Sequence, residues 1–243
     1  MPISNKIIKD SFENFRENKD SDHRYYSYDY CFGYFKSFKN KRDIANDKNI
    51  ETSCLQLGFY LASWGMLRAS SILLQKSLPF YKNIIKTIAE DCDDIWNIDV
   101  PNYMENDNIN KLVKLHDLLA SNIPDNHRTI VIVTKIMLGV FGCCPAFDDY
   151  FSGTFRKHYG EESRFRRFNK ESLETIYSFY DSNKQLINKF SKNTNFISFK
   201  TGKSTNYIYS RAKVIDMIGF QLGLEQAIKE KEELQKNKKN RNK

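Results

Sequence analysis

Two adjacent carboxylates, Asp148 and Asp149, follow the longest apolar run of the chain, residues 130–147. An apolar helix that carries charge to the edge of a core can present a reactive group there. Tyr150 and His158 lie close enough in sequence to complete an acid–base group with Asp148. The plainer and more common role is structural, since an aspartate at the start of a helix caps it and suits the helix dipole. The sequence leaves both roles open.

Cationic and aromatic residues occur together between residues 156 and 170. Guanidinium groups neutralise phosphates, and exposed rings stack on unpaired bases. Phe165 and Phe168 could equally be two core anchors whose neighbouring arginines point to solvent. A second basic patch includes Lys200 and Lys203. The candidate nucleic-acid-binding residues are Arg156, Lys157, Arg164, Arg166, Arg167, Lys170, Lys200 and Lys203.

Trp64 and Arg68 are four residues apart in a segment predicted to be helical. One helical face can then place the guanidinium over the indole. In a pocket this pair could stack on a planar ligand, whereas elsewhere it only supports the helix. Together with Asp148, the pair defines a possible small-ligand pocket.

The cysteines and histidines lack the spacing of a metal site. There are 5 Cys and 4 His, without a CxxC motif or a His–Cys pair at zinc-ligand spacing. Such a set is typical of reduced thiols in a cytoplasmic protein. The acidic loop of residues 90–108 has no ordered ligand spacing either. The sequence predicts neither a metal nor a cofactor.

The N-terminus and the apolar run argue against targeting to a membrane. The first residues are polar and amphipathic, unlike a signal peptide. The apolar run is long enough to cross a bilayer, but it contains Lys135 and Pro145. We therefore expect a cytoplasmic protein with no membrane partner.

The positive charge is concentrated in the last third of the chain. The formal net charge is +8, from 38 Lys+Arg and 30 Asp+Glu. Residues 1–152 hold 18 basic and 20 acidic residues, a net of −2, and residues 153–243 hold 20 and 10, a net of +10. This asymmetry indicates a surface for a polyanion, most commonly nucleic acid. A solubilising surface with a basic tail is the alternative.

The composition favours helices, because 10 Gly and 5 Pro are too few for a strand-and-turn architecture. In residues 23–39 the aromatic spacing does not separate helix from strand, and residues 193–211 are predicted to form a short hairpin or an extended loop. Helices are predicted over residues 5–18, 51–75, 79–91, 109–121, 128–141, 148–158, 171–191 and 207–228.

The predicted fold is all-α, a compact orthogonal bundle of about eight to ten helices. It forms either one body or two lobes with a cleft between them. The helical domain spans residues 1–228, and residues 229–243 form a basic tail that is expected to be disordered.

Residues 123–151 resemble part of the helix-hairpin-helix DNA glycosylases. In that family a hairpin of the Leu-Pro-Gly type precedes an apolar helix, and an aspartate follows at the mouth of a cleft between two helical subdomains. Here residues 123–126 (IPDN) occupy the hairpin position, residues 128–140 the helix, and Asp148 lies 24 residues after Pro124. The chain departs from the family in lacking the hairpin glycines that bring N–H groups to a phosphate. It also lacks the hairpin lysine of lyase-type members.

The resemblance implies that Asp148 stabilises positive charge on the sugar or activates water, while Asp149 assists or caps. The target base must first leave its stack. The leading hypothesis is a nucleic-acid-binding protein, for DNA rather than RNA, of the glycosylase type. The rival is a non-catalytic helical component, regulatory or host-defence, that binds a protein through an exposed apolar patch. That patch would come from the aromatics of residues 25–38 or from the helix at residues 58–71.

Overall fold

The all-α prediction is confirmed by a computed structural model, which describes residues 3–17, 20, 22–68, 71–90, 94–124, 129–160 and 164–241. Within these residues there are ten α-helices and one small sheet. The first five helices are α1 (Asn5–Arg16), α2 (Ser27–Ser37), α3 (Ile50–Ser63), α4 (Tyr81–Glu90) and α5 (Asn108–Ala120). The others are α6 (Thr129–Phe141), α7 (Asp149–Tyr159), α8 (Lys170–Ser182), α9 (Lys184–Lys192) and α10 (Arg211–Arg241).

Helix α6 forms the centre of the core. Every residue from Val131 to Phe141 is buried, as expected for a helix that is apolar on all sides. It packs against α2, α3 and α5. Gly139 permits close contact with α3, because a Cβ at this position would overlap the ring of Tyr60. None of the described helices is both long and apolar enough to span a membrane.

Two segments that were predicted as single helices are each divided. The segment of residues 51–75 leaves the helix after Ser63, where Gly65 adopts a φ of +75°. The N–H of Met66 then bonds to the carbonyl of Leu61 at 2.9 Å. Such a left-handed glycine ends a helix without a steric penalty. The segment of residues 171–191 is interrupted at Asn183, between α8 and α9.

The predicted hairpin is confirmed. Strands β1 (Asn195–Ile197) and β2 (Ser204–Ile208) pair antiparallel. The ambiguous aromatic segment is helical: a short 3₁₀ turn at Arg24–Tyr26 leads into α2. Helix α10 continues through the first part of the expected tail as far as Arg241. The domain boundary at residue 228 stays a prediction.

Asp29 of α2 holds the hairpin against the helical core. It is buried, and its carboxylate accepts hydrogen bonds from the N–H of Ile197 at 2.8 Å and from the hydroxyl of Tyr209. Burial raises the pKa of Asp29 to about 6, although these two hydrogen bonds and the charges of Lys213 and Arg16 act in the opposite direction. Desolvation of the charged form therefore dominates.

We predict that the Asp29→Asn variant loses less stability than the wild type does as pH rises. The folded-state pKa of about 6 lies above the ordinary 3.8, so the native state holds the proton more tightly. The stability that Asp29 contributes is present below the unfolded pKa and is lost as pH rises through 6. A shift of this size corresponds to roughly 3 kcal/mol.

Urea unfolding at several pH values between about 4 and 7 measures this effect. The wild type should lose more free energy of unfolding over this range than the Asn variant does. Parallel pH profiles of the two proteins would contradict the assignment.

Candidate functional site

Asp148 follows the apolar run and is the N-cap residue of α7. One carboxylate oxygen accepts the N–H of Phe151 at 3.0 Å, which caps α7. The other accepts a hydrogen bond from Nζ of Lys135 at 3.0 Å. The Lys135 side chain is 3% exposed and that of Asp148 is 15% exposed. The capping role is therefore present, and the lysine within the apolar run has a carboxylate partner.

A second buried pair fixes the turn between α6 and α7. Nζ of Lys213 donates to Asp216 at 2.8 Å, and both side chains are buried. The other oxygen of Asp216 accepts the N–H of Ala146 at 3.0 Å. The N–H of Phe147 donates to Thr134 Oγ1 at 2.9 Å. The residues immediately before Asp148 are thus hydrogen-bonded to both α10 and α6.

Trp64 lies next to the charges of both pairs. The ring centroid is 5.2 Å from Nζ of Lys135, 5.0 Å from Nζ of Lys213 and 5.6 Å from Cζ of Arg24. Its face also stacks on Tyr25 at 5.1 Å. Such cation–π contacts are favourable, more so where water is excluded. Among the described residues, the buried indole N–H has no hydrogen-bond partner.

Asp148 opens into a hollow of 270 Å³. The predicted pocket pair, Trp64 and Arg68, and the two candidate carboxylates, Asp148 and Asp149, all line this hollow. Arg68 reaches it from the turn after α3, not from a helical face shared with Trp64. The other polar or aromatic lining residues are Arg24, Lys135, Tyr150 and Phe220.

The aromatic rings of the basic cluster are core anchors. Phe165 is 2% exposed and Phe168 is 6% exposed. The Phe165 ring lies 5.3 Å from that of Phe147, and Phe168 stacks on His116 at 4.9 Å. Neither ring is available to stack on a base. Of the two alternatives left open by the sequence, the structure selects the packing role.

The described cations of that cluster are not lining residues of the hollow. Arg166 and Arg167 are exposed, whereas the side chain of Arg164 lies outside the described part of the protein. Arg156 is partly buried, and Lys157 donates to Gln226 at 3.0 Å. None of these described side chains lines the hollow.

The remaining predicted cations are surface residues. Lys170 is exposed and lies 3.8 Å from Glu174. Lys200 and Lys203 are exposed in the hairpin connection. Lys213, another lysine of the basic last third, is buried in its pair with Asp216 and is not available to a phosphate.

Two cations of the hollow were not assigned a site role from the sequence. The role of Lys135 could have been predicted from the sequence, because a lysine inside an apolar helix needs a buried carboxylate partner. The carboxylates nearest to the end of that run are Asp148 and Asp149. The role of Arg24 could not be predicted in this way, since it reaches the hollow from a distant segment of the chain.

Metal-binding clusters and disulfides are absent among the residues described. No group of three or more His, Cys, Asp or Glu side chains could hold a metal ion there. Cys31, Cys54, Cys143 and Cys144 are buried free thiols. Burial raises the pKa of Cys31 and of Cys144, so these thiols are poor nucleophiles.

We predict that Lys135→Met destabilises the fold by about 3–5 kcal/mol, because it leaves the Asp148 carboxylate without its buried ammonium partner. Lys170→Met is the matched control. It breaks the exposed pair with Glu174 and should cost less than about 1 kcal/mol. Urea unfolding of both variants measures the difference, and equal losses would show that the Lys135 pair is no stronger than a surface one.

Comparison with known proteins identifies no relative of this chain: no family model, curated protein or solved structure matches it. The second half of the hairpin in the glycosylase resemblance, residues 125–126, lies outside the described residues, as does the first residue of its helix, Arg128. The resemblance therefore stays a prediction, and a function has to be inferred from the hollow itself.

Proposed function

We propose that the protein binds nucleic acid and that the hollow at Asp148 receives an unpaired base, whose glycosidic bond is then hydrolysed. The observation that carries the proposal is a carboxylate held at a helix start inside a hollow lined by cations and aromatic rings. DNA is proposed over RNA on the ground of the glycosylase resemblance alone.

The size and lining of the hollow suit one nucleoside. Its 270 Å³ lies just below the range of about 300–1,000 Å³ that is usual for ligand sites. Tyr150 supplies aromatic surface, and Arg24 and Arg68 can neutralise phosphates.

Asp148 is suited to stabilise positive charge on the sugar. Its carboxylate accepts hydrogen bonds from Phe151 and Lys135, and a carboxylate has about four acceptor sites. The orientation is therefore fixed while acceptor capacity remains for a sugar cation or a water molecule. Charge that is fixed before the reaction needs no reorganisation as the transition state forms. Asp149, which also lines the hollow, would assist.

The exposed cations of the last third would contact phosphates outside the hollow. Arg166, Arg167, Lys170, Lys200 and Lys203 are exposed. Since Phe165 and Phe168 are buried, this surface contributes charge without base stacking. Its role is to position the nucleic acid, and the hollow would act on the base.

A protein-binding role is the second candidate, and one observation favours it. Leu55 is 52% exposed and Phe59 is 69% exposed, both on α3. Exposed apolar side chains that lie one helical turn apart can form a contact surface for another protein. In that case the hollow would be incidental to function.

We predict that Asp148→Asn lowers the rate of base release by at least about a hundredfold, because the negative charge on the sugar-facing group is removed. Asn retains the ability to cap α7. Asp181→Asn is the control, since Asp181 is an exposed carboxylate of α8 outside the hollow. The measurement is release of bases from duplexes that carry mismatched or damaged bases, with thermal melts to verify folding. An unchanged rate would remove Asp148 from the mechanism.

We also predict that nucleic-acid binding weakens steeply with salt. Replacing Arg164, Arg166 and Arg167 by Ala should reduce the slope of log K against log salt by about 0.9 for each phosphate that the variant no longer neutralises. Arg42→Ala, which changes an exposed arginine of the acidic part of the chain, should leave the slope within error. Binding that does not depend on salt, or no binding, would overturn the proposal.

A further inference from the structure

A second cavity lies between α2, α3 and the hairpin. Its volume is 510 Å³, larger than that of the hollow at Asp148. Residues Phe32 and Tyr34 of α2, Gln56 of α3, and Phe199 and Tyr207 of the hairpin contribute to its lining. The neighbouring helix and hairpin are held in place by the hydrogen bonds of Asp29 described above.

The aromatic lining includes rings that are open to a ligand. Phe199 is 80% exposed and Tyr207 is 59% exposed. Phe32 and Phe196 form a parallel stack at 4.6 Å, and Phe199 and Tyr30 make an edge-to-face contact at 5.5 Å. A large ring that is exposed beside a cavity can bind a planar ligand by stacking.

The polar lining includes a carboxylate and two ammonium groups. Asp29 lines the cavity, and two of its about four acceptor sites are taken by Ile197 and Tyr209. Nζ of Lys36 donates to the carbonyl of Trp96 at 3.1 Å and keeps two further protons. Lys200 is exposed. The cavity therefore offers an acceptor for an amino group and two cations for an anion.

We propose that this cavity binds a nucleoside phosphate. The base stacks on Phe199, an exocyclic amino group donates to Asp29, and Lys36 and Lys200 neutralise the phosphate. A purely apolar ligand would desolvate these charged groups without pairing them. An anion without a ring would leave Phe199 uncovered. The site is separate from the hollow at Asp148 and does not depend on its proposed activity.

The same chemistry is present in a free nucleotide and in an unpaired nucleotide of a single strand. Calorimetric titration of the full chain with adenosine 5′-monophosphate tests the first source, and titration with a single-stranded oligodeoxyadenylate tests the second. Ribose 5-phosphate, which lacks the base, should bind much more weakly than either. Inosine 5′-monophosphate carries a carbonyl in place of the amino group, so it should also bind more weakly than the adenine nucleotide if Asp29 accepts from that group.

Variants locate the binding site. Phe199→Ala should weaken binding about tenfold, the effect expected when one base–ring stack is removed. Phe199→Tyr keeps the ring and should retain the affinity. Lys200→Ala should weaken binding, whereas Lys39→Ala, which changes an exposed lysine outside the cavity lining, should not. The replaced side chains are exposed, so these variants are expected to fold, and thermal melts verify this.

Each outcome decides the proposal. Phe199-dependent binding of adenosine monophosphate supports a free nucleotide, and Phe199-dependent binding of the oligonucleotide alone supports a strand. If neither adenosine monophosphate nor the oligonucleotide binds, the proposal is overturned. It is also overturned if Lys39→Ala weakens binding as much as Lys200→Ala does. Binding lost in Arg68→Ala, which changes an exposed residue of the hollow at Asp148, but not in Phe199→Ala places the ligand in that hollow and also overturns it. Absence of base release with Phe199-dependent binding intact refutes only the proposed hydrolysis.

Discussion

The architecture around the site depends on burying two ammonium groups together with their carboxylates. Lys135 pairs with Asp148, and Lys213 pairs with Asp216. An isolated buried charge is unfavourable by several kcal/mol, and a pair is tolerated only when hydrogen bonds satisfy the remaining atoms. Here the second carboxylate oxygens accept backbone N–H groups, from Phe151 and Ala146. Satisfying the two lysines therefore also fixes the turn between α6 and α7.

This constraint fixes the position of the carboxylate on which the proposed function depends. Because Asp148 caps α7 and accepts from Lys135, its carboxylate has a fixed position in the hollow. The cations beside it, Arg24 and Arg68, come from outside the basic last third of the chain. In the proposed function, the charge beside the base and the charge that attracts the nucleic acid would thus be supplied by different parts of the molecule. Either set of charges can therefore be removed by mutation without removing the other set.

Sequence patterns predicted elements well where one periodicity was uninterrupted. The apolar run gave α6 within one residue, and the hairpin was expected near its observed position. The end of α3 was not predicted, because the apolar spacing continues past Gly65. The helix ends there because Gly65 adopts a left-handed backbone conformation with a φ of +75°. The sequence indicated only as one possibility that Trp64 and Asp148 share a pocket. A hydrophobic periodicity carries no information on contacts between distant segments of the chain. Burial of Phe165 was likewise undecided, because spacing does not show which face meets the core.

A double-mutant cycle at Lys135 and Asp148 measures most directly how strongly this pair couples α6 to α7. The free energies of unfolding of the wild type, Lys135→Met, Asp148→Asn and the double variant give the coupling energy. A buried pair that organises the turn should give a coupling of about 2 kcal/mol or more. A coupling near zero, as is found for many exposed pairs, would contradict this account of the site.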